Sequence, residues 1–528
     1  MNKQVLKRFA VATRVELIEL VHSKVEYLLS PSYRENLALY DTHKDSIKKI
    51  RERYEKEKDD FIEEVAYTWL NRLIALRFMD VHSITSQNVI SSSAEAPLPQ
   101  IFSDAKLGSI DEKLSLDRQK FYDLIDGKIR GVENRDNEAY KMLFIAVCNY
   151  FSGVMSTMFE SIKDYTELLL PDDMLSSNSI RAKVVEAMSE EDCQDIEIIG
   201  WLYQFYISEK KDEVFAKLKK NQKITPSNIP AATQLFTPHW IVKYLVENSL
   251  GKLWMLNHPG SNLKNQMRYY IEQEEPDNFI KIDSPQELTF LDPCCGSGHM
   301  LSYAFDLLTK IYEEEGYPKS EIPTLILQNN LFGCDIDKRA ATLANFTLMM
   351  KARLYHRRFF RKKVTPNVIE LQEYGDEFKD IKNFGSLLTP NDSEEFQDGI
   401  FGTNSKEYEI QKNILSNKFD CVVTNPPYMG AKGMNKELSD FVKKRYPDSK
   451  SDLFAVFMER SLELTKPHGF MAMINQHSWM FLSSYEKLRI KIIKNHRIDT
   501  LVHLGPRAFE EIGGEVVQSV AFVLQKDG

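Results

Sequence analysis

The chain has 528 residues, enough for two or three domains and a large core. Its 43% hydrophobic and 27% charged residues are ordinary for a globular protein, and its net charge of −9 does not mark a nucleic-acid binder. No apolar run approaches the ~18 residues a membrane span requires, and with charges throughout, "MNKQVLKRFAVATRVELIELVHSKVEYLL" reads as an amphipathic helix and not a signal peptide. A cytoplasmic protein with no membrane partner is expected.

Taken in chain order, residues 1–225 read as a helical domain. In "DDFIEEVAYTWLNRLIALRFMDV" the apolar positions Phe61, Val65, Trp69, Leu73 and Leu76 recur at close to a 3.6 period. "DIEIIGWLYQFYISEKKDEVFAKLKK" continues in that style. Between them, the polar and proline-bearing "SITSQNVISSSAEAPLPQ" is expected to be a loop. "NQKITPSNIPAATQ" reads as a hinge into a second domain, residues 226–528.

There the pattern becomes short apolar runs alternating with helical segments. "LTFLDP", "NNLFGCDID", "FDCVVTNPP", "GFMAMINQHS", "IDTLVHLG" and "VVQSVAFVLQ" read as strands. "GHMLSYAFDLLTKIYEE", "KRAATLANFTLMMKARL" and "SDLFAVFMERSLELTK" read as helices. Such alternation predicts an α/β, doubly wound, mostly parallel sheet. The last two strands leave little room for a helix between them, so the sheet is expected to end antiparallel.

Ligands of such sheets bind outside the carboxyl ends of the strands. In "FLDPCCGSGHML" a strand reaches Asp292, and a turn with Gly296 and Gly298 leads into a helix. Glycines let backbone approach a ligand, and the helix start favours anions. The dinucleotide pattern GxGxxG fails because Leu301 stands at its third glycine. Asp292 would oppose a pyrophosphate but suits an ammonium, which favours a cofactor bearing an amino acid. In "LFGCDID" Asp335 is placed for ribose hydroxyls and Ile336 for an adenine ring, with Asp337 capping the next helix. Together these features favour S-adenosylmethionine. "IKNFGSLL" is a weaker candidate for a third strand end at the adenine.

"CVVTNPPYMG" ends a buried strand in Asn425, Pro426, Pro427 and Tyr428. Consecutive prolines stop a ladder and hold their neighbours stiffly. An aromatic amine is a weak nucleophile because its lone pair is delocalised into the ring. The Asn425 side-chain oxygen and the Pro426 carbonyl can accept hydrogen bonds from it and offset the charge that develops during attack. Tyr428 can stack on a base flipped from double-stranded DNA. In "FTPHWIVKYLVENSLG" Thr237 is expected to be an N-cap and Pro238 to occupy N1; an ordinary helix start and a role at the cofactor's methionine end both remain open. His239 and His299 read as structural.

Six cysteines, at 148, 193, 294, 295, 334 and 421, show no CxxC spacing, and no HxxxH occurs. Reduced, buried thiols are expected, with no metal site and no disulfide framework. "KARLYHRRFFRKK" (351–363) joins Lys351, Arg353, Arg357, Arg358, Arg361, Lys362 and Lys363 to aromatics without an acid. That pattern suits phosphate contacts, though a solvated helix end accounts for it equally well.

The order FTP, DPxxGSG, GCDID, NPPY resembles that of amino-methylating adenine DNA methyltransferases. "YTWLNRLIALRFM", "IPAATQLFTPHWIVKYLVENSLG", "NPPYMGAKGMN", "DSKSDLFAVFM", "SWMFLSSYEKLR" and "GEVVQSVAFVL" are similar to the PglX family, the methyltransferases of BREX bacteriophage-exclusion systems. The resemblance implies site-specific adenine-N6 methylation of host DNA alongside other BREX components. It also implies cofactor contacts at Asp292, Gly296, Gly298 and Asp335, and target-base contacts at Asn425, Pro426 and Tyr428; Pro293, Ile336 and Asn425 are expected at the cofactor beside them. Cys294-Cys295 replaces a more usual alanine-cysteine, a change expected to be harmless. The family continues into a long region with target recognition beyond the methyltransferase fold, so methylation of a defined site is not expected of this polypeptide by itself. A restriction-modification methyltransferase subunit, a protein-glutamine methyltransferase and a non-catalytic DNA-binding or assembly subunit remain alternatives.

Overall fold

A computed structural model describes residues 2–527 apart from 36, 94–95, 161–164, 275, 391–405, 507 and 510–517. The chain divides into two compact units, Met1–Tyr206 and Ile207–Gly528.

The first unit is helical. The stripe expected on the helix Lys58–Val81 is buried, but so is nearly every other side chain from Val65 to Asp80. This is a central helix covered all round, not an amphipathic one. The polar stretch after it is a loop, as expected, carrying a small antiparallel pair, Ser92–Ser93 with Ala96–Pro99. A buried carboxylate anchors that loop: Asp80 accepts from the amides of Val89, Ile90 and Ser91 and from the Ser91 hydroxyl.

The second unit is built on a seven-stranded sheet. Its strands are β1 (Phe290–Asp292), β2 (Leu331–Asp335), β3 (Asn367–Glu370), β4 (Phe419–Thr424), β5 (Thr465–Gln476), β6 (His496–Gly505) and β7 (Ser519–Lys526). Their order is β3-β2-β1-β4-β5-β7-β6. Neighbours from β3 to β5 pair in parallel, and β7 runs antiparallel to both β5 and β6. The expected doubly wound sheet with a reversed strand is therefore present, the reversed strand lying one place in from the edge. β1 and β4 are buried throughout, which explains their unbroken apolar sequences. Strand order reverses between β1 and β4, and that switch point opens a crevice at the carboxyl edge.

Two expectations change. "PNVIE" supplies β3, a strand too short to stand out in the sequence, whereas "IKNFGSLL" forms a helical turn, Ile381–Phe384, followed by Gly385–Leu387 in 3-10 conformation. The helix His239–Val246 begins one residue later than expected. Pro238 is its cap residue, and no side chain caps it. Asp337 does cap the helix Lys338–Tyr355, accepting from the Arg339 amide. The six cysteines are free, and all but the half-buried Cys294 are buried. Among the described residues no helix is long and apolar enough to cross a membrane.

Candidate active site

The crevice at the switch point encloses about 630 Å³ of free space, part of it continuous with solvent. Pro293, Gly296, Asp335, Ile336, Asn425 and Pro427 line it, so three separate sequence motifs converge on one cavity. Thr237, Pro238, Asp292, Gly298, Pro426 and Tyr428 do not line it and stand behind or beside its wall. Residues 229–235, read in the sequence as part of a hinge, form another wall through Ile229, Pro230, Thr233, Gln234 and Leu235. Leu371, just past β3, and Ser386 of the Gly385 turn complete it. "FGSLL" was the signal for Ser386, while 229–235 stood inside the family-like "IPAATQLFTPHWIVKYLVENSLG" with no chemical pattern of their own.

The turn after β1 needs its glycines. Gly296 has φ +52° and Gly298 φ +88°, and a Cβ on Gly298 would lie 2.9 Å from the Ala344 Cβ. That close approach lets the helix His299–Glu314 pack against Lys338–Tyr355. Asp335 ties the turn to β2: its Oδ2 accepts from the Gly296 amide at 2.9 Å and its Oδ1 from the Asp337 amide at 2.8 Å. Burial nevertheless pushes its carboxyl up to about 6.

Asp292 is only 2% exposed. Its Oδ1 accepts from the Thr424 hydroxyl at 2.7 Å and the Cys294 amide at 3.3 Å, and burial pushes it up to about 7. The Thr424 proton is thus committed to Asp292. The Cys294 Sγ, 3.1 Å from Thr424 Oγ1, must therefore be the donor in that contact. Burial raises the Cys294 thiol well above its ordinary value, which keeps that proton in place. Cys294 thus links the turn after β1 to the end of β4.

Asn425 follows β4 directly. Its Nδ2 donates to the Leu235 carbonyl at 3.3 Å and to Thr237 Oγ1 at 3.0 Å. Since a carbonyl only accepts, the amide orientation is decided: Nδ2 faces the 235–237 segment, and Oδ1 faces the Tyr428 hydroxyl at 2.8 Å. Tyr428 also lies 2.8 Å from the Ile474 carbonyl on β5. One phenolic proton serves one acceptor at a time, so Oδ1 can be released while Tyr428 stays bonded. Thr237, expected to cap a helix, instead orients the asparagine.

The loop beyond is clamped by Asp452, which the sequence reading passed over. Its Oδ1 accepts from the amides of Met429 and Phe454, and Gly430 bridges to it antiparallel. An aspartate just before the apolar run "LFAVFM" was the available signal, that of an N-cap. His299 bonds Ser297 and packs edge-on to Phe236 at 4.0 Å, a supporting arrangement behind the turn.

The basic stretch 351–363 lies elsewhere. Helix Lys338–Tyr355 starts beside the cavity and its 18 residues carry the chain ~27 Å away, so the stretch stands at the amino edge of β3. Lys351 is paired with Asp306, Lys362 donates to the Ser320 carbonyl, and Arg353 lies over Phe360; Arg357, Arg358, Arg361 and Lys363 are exposed.

Residues 329–509 match the Eco57I restriction-modification methylase family. The chain is 39% identical to the adenine-specific methyltransferase BrxX of Escherichia coli O9:H4 (strain HS), over 88% of itself and 44% of that protein. It is 37% identical to the adenine-specific methyltransferase PglX of Lacticaseibacillus casei (strain Zhang), over 100% of itself and 51% of that protein. The chain thus spans about half the length of these curated relatives. Among solved structures, the Type IIL restriction-modification enzyme MmeI in complex with DNA superposes with a TM-score of 0.51 at 14% identity, covering 100% of this chain and 58% of that one. At that identity the likeness is one of fold.

Proposed function

We propose that this chain, PglX-like over most of its length, transfers a methyl group from S-adenosylmethionine to the N6 amine of a flipped adenine in double-stranded DNA. The cavity suits the cofactor. Asp335 offers acceptors for ribose hydroxyls, and Ile336 and Leu371 offer apolar surface for the adenine. Ser386 stands beside them. The turn from Pro293 to Gly296 approaches with backbone alone. Asp292 acts from behind the wall, fixing that turn through Cys294 and Thr424 at the methionine end.

When bound, the cofactor supplies an electrophilic methyl group on a sulfonium. The protein's own residues prepare the amine. Asn425 Oδ1 and the Pro426 carbonyl accept its two hydrogens, draw it toward tetrahedral geometry and stabilise the ammonium that forms as the N–CH₃ bond replaces the S–CH₃ bond. Thr237 and Leu235 keep Oδ1 pointed at the amine, Pro427 stiffens the turn, and the partly exposed ring of Tyr428 offers a stacking face to the base. The extra proton leaves to water after transfer. The observation that carries this reading is the fixed orientation of the Asn425 amide at the edge of a cavity shared with the glycine turn and Asp335.

The cellular role that follows is modification of host DNA in phage exclusion, in the company of other BREX components and in the cytoplasm. The test is to incubate the chain with labelled S-adenosylmethionine and random-sequence oligonucleotides, then digest to nucleosides. Label in N6-methyl-2′-deoxyadenosine is expected. Label in protein glutamine instead, or calorimetry showing no cofactor binding, would overturn it.

A further inference from the structure

Asn475 is the penultimate residue of β5, is 0% exposed, and neither its Nδ2 nor its Oδ1 has a hydrogen-bond partner. A buried amide with both groups unpaired is rare in native proteins, where such groups nearly always find partners. Its place is as notable as its isolation. Thr424 pairs with Met473 across β4 and β5. Continuing that register by two residues sets Asn475 level with Pro426, one strand over, at a strand spacing of ~4.8 Å. Strand alternation puts Asn475 on the face of Met471 and Met473, opposite Val520. All three belong to the apolar cluster on which Tyr428 packs. The preceding residue, Ile474, carries the carbonyl that lies beside the Tyr428 hydroxyl.

We propose, resting on the reading that a flipped adenine is methylated here, that Asn475 selects the base, its Nδ2 donating to adenine N1. Adenine presents an amine next to an unprotonated ring nitrogen. Guanine and thymine present a carbonyl next to a ring N–H. With Asn425 Oδ1 and the Pro426 carbonyl accepting from the amine, an N–H donor one strand over completes the pattern for adenine and meets a like-polarity N–H on guanine or thymine. The unpaired state of Asn475 is then that of a reader awaiting its base, and the apolar surroundings ensure that no other side chain answers it.

The test uses the whole chain, labelled S-adenosylmethionine, and random-sequence oligonucleotide pools containing either adenine or 1-deazaadenine, which lacks N1. Wild-type transfer is expected to fall about tenfold or more on the 1-deazaadenine pool. Asn475→Leu, close in size, is expected to melt no lower than wild type and to bind the cofactor unchanged. Its transfer to adenine falls by a similar factor, with no further loss on 1-deazaadenine. Should the leucine variant fail to fold, Asn475→Ala, smaller and equally without a donor, carries the same expectation for transfer. Wild-type rates in the variant, or an equal 1-deazaadenine penalty in both proteins, would assign Asn475 to a structural role bridged by water. No transfer by wild type to any adenine pool would instead sink the methylation reading, and this inference with it.

Discussion

Replacing Asp335 with asparagine separates two consequences of one buried carboxylate. Burial raises its carboxyl from 3.8 to about 6 even though two backbone amides donate to it. A rise of that size corresponds to about 3 kcal/mol between the two protonation states, an upper figure because Asp335 lines the cavity and is partly reached by solvent. The sign follows from linkage. An acid whose folded value is raised contributes stability fully present below about 4 and lost as pH rises through about 6. Asp335→Asn cannot ionise and escapes that loss, although it gives up one of the two amide bonds. In cofactor-free protein, the melting temperature of the variant minus that of wild type should therefore be several degrees more favourable at pH 7.5 than at pH 4. Asp292, pushed up to about 7 by burial and in part by the Asp335 charge, adds a dependence of the same sign, and removing that charge relaxes it in the same direction, so the difference reports Asp335 together with its effect on Asp292. With cofactor at pH 7.5 the variant should lose about ten- to a hundredfold in calorimetric affinity, as expected for a lost hydrogen bond to a charged group. Parallel melting curves across the pH range, together with unchanged affinity, would remove Asp335 from the site.

Asn425→Ala should keep cofactor affinity while transfer falls about a hundredfold or more, because its interaction is made with the developing ammonium; rapid-quench transfer rates beside calorimetry check this. Thr237→Val removes one acceptor that orients the Asn425 amide and leaves the Leu235 carbonyl in place. Transfer should drop by roughly fivefold, in kcat and not KM, the worth of one ordinary hydrogen bond. Replacing Arg357, Arg358 and Arg361 with alanine should leave the salt dependence of DNA binding unchanged, because they stand a helix length from the cavity. Each phosphate contact actually lost would flatten the log–log slope by about 0.9.

The sequence by itself determined the parts whose physics is local. Alternating apolar runs and helical periods specify a doubly wound sheet, since buried parallel strands need unbroken apolar stretches and their crossovers need helices. Glycines at 296 and 298, the acid at 335 and the Asn-Pro-Pro-Tyr turn announce backbone approach, ribose binding and a rigid amine acceptor, because each of those tasks allows few residue types. What only the tertiary structure decided is which groups meet. Thr237 reads as a helix cap and proves to hold Asn425, 188 positions along the chain. The hinge-like 229–234 turns out to form part of a cavity wall, and β3 hid in four unremarkable residues. The basic stretch suited phosphate contacts and a solvated helix end equally, and only the fold shows that an 18-residue helix sets it away from the cavity. Asn475 was invisible for the same reason. A buried amide inside an apolar strand carries no pattern along the chain, and only the pairing of β4 with β5 brings it level with the chemistry.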